Sequence, residues 1–307
     1  MKKSVLFNIK TLGLILIIVL CLLLIGCNNQ TDDNSNNNND PSGEGQGGQG
    51  GQGDGGNTEE DPANVTVTNW KILEGTDSVT TVYKYTTDKE GPKIAIVGGI
   101  HGDETAGWTA ALRLVTSLES EKGVCGEILL IPQANILADK ADSRYKVTGY
   151  DFSDLNRSFP EGRYSSAKEA TIQISSAILE AVEAFNPDYI IDLHESLHSW
   201  DVQETGVKTS LGNTLIANNN SRFMRQLIKR YNETYRLENE CEFRQEGSNQ
   251  LGSFNYYFTT TYPDKVVYTI ETNRGYVDGV NTIDLEIRVR HQLNILEAMF
   301  DLIWSRS

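Results

Sequence analysis

Four uninterrupted apolar runs constrain this chain more than any other feature: "KIAIVGG" at 93–99, "EILLIP" at 127–132, "YIID" at 189–192 and "KVVYTIE" at 265–271. None alternates with polar residues, so each reads as a strand covered on both faces. Helical spacing lies between them. Trp108, Ala111, Leu112, Val115 and Leu118 mark one helix; Ala170, Ile174, Ala177, Ile178, Ala181 and Phe185 mark another, stopped by Asn186-Pro187. Further helices are expected near 219–236 and 282–303, and "NVTVTNW" and "TTVYKY" alternate as an opening hairpin would. The pattern specifies an α/β domain: a twisted, mixed, largely parallel sheet with helices on both faces. In such sheets ligands bind beyond the carboxyl ends of the strands.

Those ends carry chemistry. The first reads "GGIHGDETAG", placing His101 and Glu104 three apart where a helix begins. Imidazole nitrogen and carboxylate oxygen are zinc ligands, and a catalytic site needs three such groups. Taken alone the pair is weak, since Glu104 could simply favour a helix N-terminus. The second end, "IIDLHES", presents His194, and the third, "VVYTIETNRG", presents Glu271 in apolar surroundings that make an idle carboxylate costly.

The second end also matches the H-E-x-x-H pattern of zinc proteases through His194, Glu195 and His198. That motif needs a helix, and Asn186-Pro187 just upstream with a β-type run argues against one. The one-histidine reading is preferred, with His198 beside the site or at the surface and Glu195 orienting a neighbour or solvated. Between the first two ends lies "RYKVTGYDFSDLNRSFPEG". Its Arg144, Asn156 and Arg157 suit recognition of a carboxylate and polarisation of a carbonyl, because a guanidinium fork pairs with carboxylate bidentately.

The N-terminus has a separate logic. Lys2, Lys3 and Lys10 precede the apolar "LGLILIIVLCLLLIG", which ends at Cys27. This describes an export signal over 1–27, and "LIGC" resembles the lipobox of bacterial lipoproteins, with Cys27 as the lipidated residue. The alternative is a membrane-spanning anchor. Residues 28–64 are rich in Asn, Gly, Gln and Asp and read as a disordered tether. The catalytic domain is expected over 65–307. Formal net charge is −15; the signal holds three lysines and no acid, and the tether eight acids and no base, leaving about −10 for the domain. Such a balance excludes nucleic acid and a polybasic membrane-binding face, so the membrane is met through the lipid alone. The expected location is the outer face of the cell membrane. Cys125 and Cys241 could pair there or remain two buried thiols.

Together, "GGIHGDE", "DLNRSFP", "DLHES" and "TIET" resemble, in this order, the zinc carboxypeptidase superfamily, above all its succinylglutamate desuccinylase/aspartoacylase-like branch. The resemblance covers about residues 93–307. It implies one zinc per chain held by His101, Glu104 and His194, with Glu271 as general base. Asn156 and Arg157 would hold a substrate carboxylate, and Arg144 would stabilise the oxyanion. Two departures bear on the branch. Digestive carboxypeptidases carry a mobile tyrosine where "FRQEGSNQLGS" has none, leaving Tyr256, Tyr257 and Tyr262 as speculative substitutes. The desuccinylase branch often adds a β domain after the base, whereas a long helix stands there in this chain. By motif alignment Phe254 is expected near a specificity pocket. The resulting expectation is a zinc hydrolase cutting an amide beside a free carboxylate. A carboxypeptidase is ranked above an N-acyl-amino-acid deacylase, because peptides are more accessible outside a cell. A non-catalytic binding lipoprotein on the same scaffold is the remaining alternative.

Overall fold

The computed structural model describes residues 64–119, 124–160, 162–163, 165–198, 211–217, 221–237, 242–247, 250–277 and 279–304. The signal, Cys27, the tether to residue 63 and Cys241 lie outside these residues.

The alternating segment forms the expected hairpin, β1 (Val65–Ile72) with β2 (Thr80–Thr87), paired antiparallel from Val65↔Thr87 to Ile72↔Thr80. The apolar runs become β3 (Lys93–Gly98), β4 (Glu127–Ile131), β5 (Tyr189–Ser196) and, near the end, β8 (Val266–Asn273). Short strands β6 (Thr214–Ile216) and β7 (Arg244–Glu246) complete the sheet, whose order is β1-β2-β4-β3-β5-β8-β6-β7. β4, β3, β5 and β8 run parallel; β2 joins β4, and β6 joins β8, antiparallel. The mixed, largely parallel sheet of the sequence reading is the one observed.

Strand periodicity sorts the core into two layers. Ile94, Ile96, Ile191, Leu193, Tyr268 and Ile270 face one side. There they meet α1 (Thr105–Ser117), α4 (Ser221–Arg230, continued by a π turn at Tyr231–Tyr235) and the long α6 (Leu285–Trp304). Ala95, Val97, Leu129, Ile190 and Val267 face the other side, against α3 (Glu169–Phe185) and α5 (Phe254–Thr261). Cutting a central side chain such as Ile191 to Ala would cost about 2–5 kcal/mol. α3 stops where expected: Asn186 takes a left-handed conformation (φ 50°) and caps the helix before Pro187.

Phe254 is fully buried against Phe159 and Phe258, because the first turn of α5 aims it into the core, while its neighbours Ser253 and Asn255 line a cavity. One expectation needs correction. Tyr257 and Tyr262 cannot replace a mobile tyrosine, since both hydroxyls donate to Glu183 Oε1 on α3 (2.6 and 2.9 Å). Cys125 is a buried free thiol.

Candidate active site

β3, β5 and β8 end side by side. The ladder pairs Gly98 with Leu193 and His194 with Glu271, so the second and third strand ends are neighbours by register. His194 and Glu195 belong to β5, a strand, which rules out the helix that an H-E-x-x-H site requires.

The first end leaves the sheet at Gly99, whose positive φ (74°) turns the chain sharply. Gly102 then packs onto α2 (Ile136–Lys140) so closely that a Cβ would lie 2.0 Å from Ala138 C. This tight turn swings His101 and Glu104 over the end of β5. His101 Nδ1 lies 2.8 Å from Glu104 Oε1, His194 Nδ1 lies 2.6 Å from Glu104 Oε2, and the two Nδ1 atoms are 3.1 Å apart. All three side chains are buried.

The outer nitrogens show what this cluster is for. His101 Nε2 meets Asp154 Oδ1 at 2.9 Å, and His194 Nε2 meets Asp192 Oδ2 at 3.1 Å. Asp154 and Asp192 can only accept, so a neutral ring that donates to them through Nε2 turns its Nδ1 lone pair inward, towards Glu104 and the other ring. Two lone pairs and a carboxylate facing one another repel unless a cation joins them. Nitrogen ligands about 2.0–2.1 Å from a tetrahedral zinc stand roughly 3.3 Å apart, close to the separation here. The set therefore fits a divalent metal, with the histidine–carboxylate pairs that usually fix such ligands. Burial alone would push the Glu104 carboxyl up, but the two imidazoles hold it well below its ordinary range. Burial would likewise depress the His194 imidazole, yet Glu104 and Asp192 raise it far above. The two shifts are largely the two sides of one attraction between Glu104 and His194.

Asp154 and Asp192 were not singled out by sequence. Asp192 had a readable signal, being an acid in an apolar strand two residues before His194 and so on the same face. Asp154 does more than orient His101. Its Oδ1 also accepts from Asn156 N (2.9 Å), capping a 3-10 turn at Leu155–Arg157, and its Oδ2 accepts from Arg144 Nε (3.3 Å). Burial opposes its charge, but His101, Arg144 and Arg157 hold its carboxyl well below the usual range.

A cavity of about 440 Å³ opens over the cluster and is lined by His101, Glu104, His194, Glu271, Arg144, Asn156 and Arg157, every candidate of the catalytic domain. Arg144 is committed to the cluster, with Nη1 donating to Glu104 Oε1 (3.0 Å). Asn156 Oδ1 accepts from Phe254 N (3.0 Å), which fixes the turn that presents Arg157. His198 also lines the cavity, its ring 6.4 Å from that of Tyr276. Burial is the main cause lifting the Glu271 carboxyl to about 8; His194 and Arg144 oppose the rise, while Glu104 and Asp192 add to it. Glu195 is not solvated. It is buried, accepts from Ala106 N (2.9 Å) at the start of α1, and pairs with Arg288 of α6.

A mixed, largely parallel sheet with a histidine–glutamate cluster able to hold a metal beyond its strand ends is the arrangement of the zinc carboxypeptidase superfamily. The family model for the succinylglutamate desuccinylase/aspartoacylase catalytic domain matches residues 90–247, and the chain belongs to that family of hydrolases. Among curated relatives, N-alpha-acetyl-L-2,4-diaminobutyric acid deacetylase of Halomonas elongata is 33% identical over 113 residues. That match spans 37% of this chain and 31% of the relative. An aspartoacylase family protein of Mesorhizobium loti shares the fold at TM-score 0.50 and 23% identity, over 78% of this chain and 68% of its own. Tripeptide-bound Csd4 of Helicobacter pylori does so at TM-score 0.56 and 16% identity, over 78% and 55% respectively. Csd4 is described as a D,L-carboxypeptidase.

Proposed function

We propose that the protein is a zinc-dependent hydrolase of N-acylated α-amino acids, R–CO–NH–CHR′–COO⁻, releasing the free amino acid. The observation that carries this reading is the convergence, in one cavity, of the His101/Glu104/His194 cluster with Glu271 and Arg157. Arg157 would pair with the free carboxylate on the amino-acid side of the scissile amide, its turn steadied by Asn156. Zinc, when bound by the three ligands, supplies Lewis acidity that polarises the amide carbonyl and makes water acidic enough to lose a proton near neutral pH. Glu271 takes that proton on its carboxylate and returns it to the leaving nitrogen. Arg144 would add positive charge where the carbonyl oxygen becomes negative, while holding Glu104.

A deacylase and a carboxypeptidase differ here only in the size of R. The family match and the deacetylase relative favour a small acyl group, and the deacylase reading is placed first. The sequence alone had favoured peptides on grounds of location. One observation keeps the carboxypeptidase reading alongside: the cavity continues past the ligands along Leu197, Leu211 and Ile216, apolar surface that a longer acyl or peptidyl group could cover. Anchoring through Cys27 on the outer face of the membrane belongs to the same proposal and would be checked by lipid labelling of a Cys27→Ser chain. The completeness of ligands and base weighs against a binding lipoprotein without activity.

Metal analysis of the purified chain, followed by product identification on N-acyl amino acids, C-terminal peptides and muropeptides, tests the reading. One zinc per chain and release of a free amino acid are expected. Tight binding of these compounds without hydrolysis would overturn it.

A further inference from the structure

Arg274 stands three residues beyond Glu271, just past the end of β8. Its N–H donates to Ser196 O (2.9 Å) and its carbonyl accepts from Ile283 N (3.2 Å), carrying the β5–β8 contact beyond its last register pair. The side chain is 5% exposed, lies 5.8 Å from the Tyr276 ring centre and lines the cavity. Nη1 donates to Asp103 O (2.7 Å) and reaches Asp103 Oδ2 (3.3 Å). Asp103 sits between His101 and Glu104 in the ligand turn.

The topology explains why such a grip matters. Strand pairing sets His194 against Glu271, but β3 ends at Gly98 and is separated from β8 by β5. The ladder therefore says nothing about where residues 101–104 stand relative to Glu271. Two buried cations complete the linkage. Arg288 holds Glu195, which receives Ala106 N on the far side of the turn, and Arg274 holds Asp103 from the β8 side.

We propose that Arg274 is a positioning residue: by gripping Asp103 it sets the distance between the ligand turn and Glu271. The inference rests on the reading of His101 and Glu104 as ligands and of Glu271 as proton acceptor. A planar guanidinium holds a carbonyl and a carboxylate in one fixed geometry, which an ammonium on a flexible stem does not.

The test compares Arg274→Gln and Arg274→Lys in the full zinc-loaded chain. Kinetics, zinc affinity by chelator competition and amide hydrogen exchange would all be tracked. Arg274→Gln should lower kcat about 10–100-fold with KM changed less than about threefold, the pattern of misplaced reacting groups. Amide exchange should accelerate across residues 99–107 and not in β4 or α3, and Arg274→Lys should recover part of both effects. If Arg274→Gln does not fold, Asp103→Asn, which keeps the bond to the carbonyl, should show the same changes more weakly. Unchanged exchange across 99–107 would overturn the proposal, whether or not a substrate is in hand. So would a rise in KM alone, which marks a substrate contact, or loss of zinc, which marks support of the metal. Glu271→Gln separates the two readings: full turnover in that variant defeats the proposed mechanism, whereas an inactive Glu271→Gln beside an Arg274→Gln of unchanged activity defeats only the positioning role.

Discussion

Glu104, at the start of α1, and Glu271, in β8, are the same side chain on one cavity, and the protein treats them in opposite ways. Glu104 is surrounded: two imidazoles, Arg144 Nη1 and the N–H of Glu195 (3.0 Å) all address its two oxygens. The Glu271 carboxylate has no hydrogen-bond partner among the described residues and faces the cavity beside a cation-seeking cluster. One is immobilised and kept anionic, which suits the ligand role proposed for it; the other is left unbonded, which suits the proposed acid–base role. Geometry thus distinguishes two glutamates that composition cannot tell apart.

The largest expected effect tests the unbonded partner. Glu271→Gln should lower kcat by about 10²–10⁴-fold while one zinc per chain remains, as read by single-turnover assays and metal analysis. Next come the groups behind the ligands. Asp154→Asn and Asp192→Asn should each weaken zinc binding by about 10–100-fold in chelator competition, with Asp154→Asn also raising KM because it releases the turn that presents Arg157. If neither changes metal affinity, the ligand side is less tightly determined than the contrast claims.

A third prediction concerns the floor of the ligand turn, where burial raises the Asp139 carboxyl to about 8, with Gln133 opposing the rise. A carboxyl with a folded pKa above its unfolded value (about 3.9) stabilises the fold at low pH and loses that contribution as pH climbs through the folded value. Metal-free protein should therefore lose stability between about pH 4 and 8 through this group, on the order of a few kcal/mol. Asp139→Asn should remove that part of the slope in denaturant titrations. The smallest effect is reserved for His198→Ala, which should keep its zinc; loss of metal there would revive a two-histidine site at the end of β5 and break the comparison.

Much of this was legible in the sequence, because continuous apolar strands stand out and their ends are marked by the first polar residues after them. His194 and Glu271 fall two residues before the ends of β5 and β8, and His101 and Glu104 in the turn that follows β3, so local pattern located them. Arg144, Asn156 and Arg157 came from the chemistry of their segment, with roles added by the resemblance, and the structure brings them to the same cavity. What stayed hidden depends on partners far apart in order. Asp154 meets His101 across 53 residues, and Arg274 meets Asp103 across 171. Phe254 shows the same dependence: motif alignment gives a position along the chain, whereas the cap at Ser253, accepting from Tyr256 N (3.1 Å), decides which way the first turn of α5 points. Of the two roles open to Glu195, holding a neighbour is the one observed; sequence could not choose it over solvation because its cation, Arg288, lies 93 residues away.

The last helix bears on timing. Gln292 Nε2 of α6 donates to His194 O (2.7 Å) and Thr272 Oγ1 (3.0 Å), and Arg288 neutralises Glu195 beside them. A nascent chain that has not yet produced residues 285–304 already holds His101, Glu104, His194 and Glu271 but lacks the braces beneath two strand ends. Assembly of a working centre must therefore wait for synthesis of α6, so a prematurely terminated product would carry the motifs without the rigid frame they need.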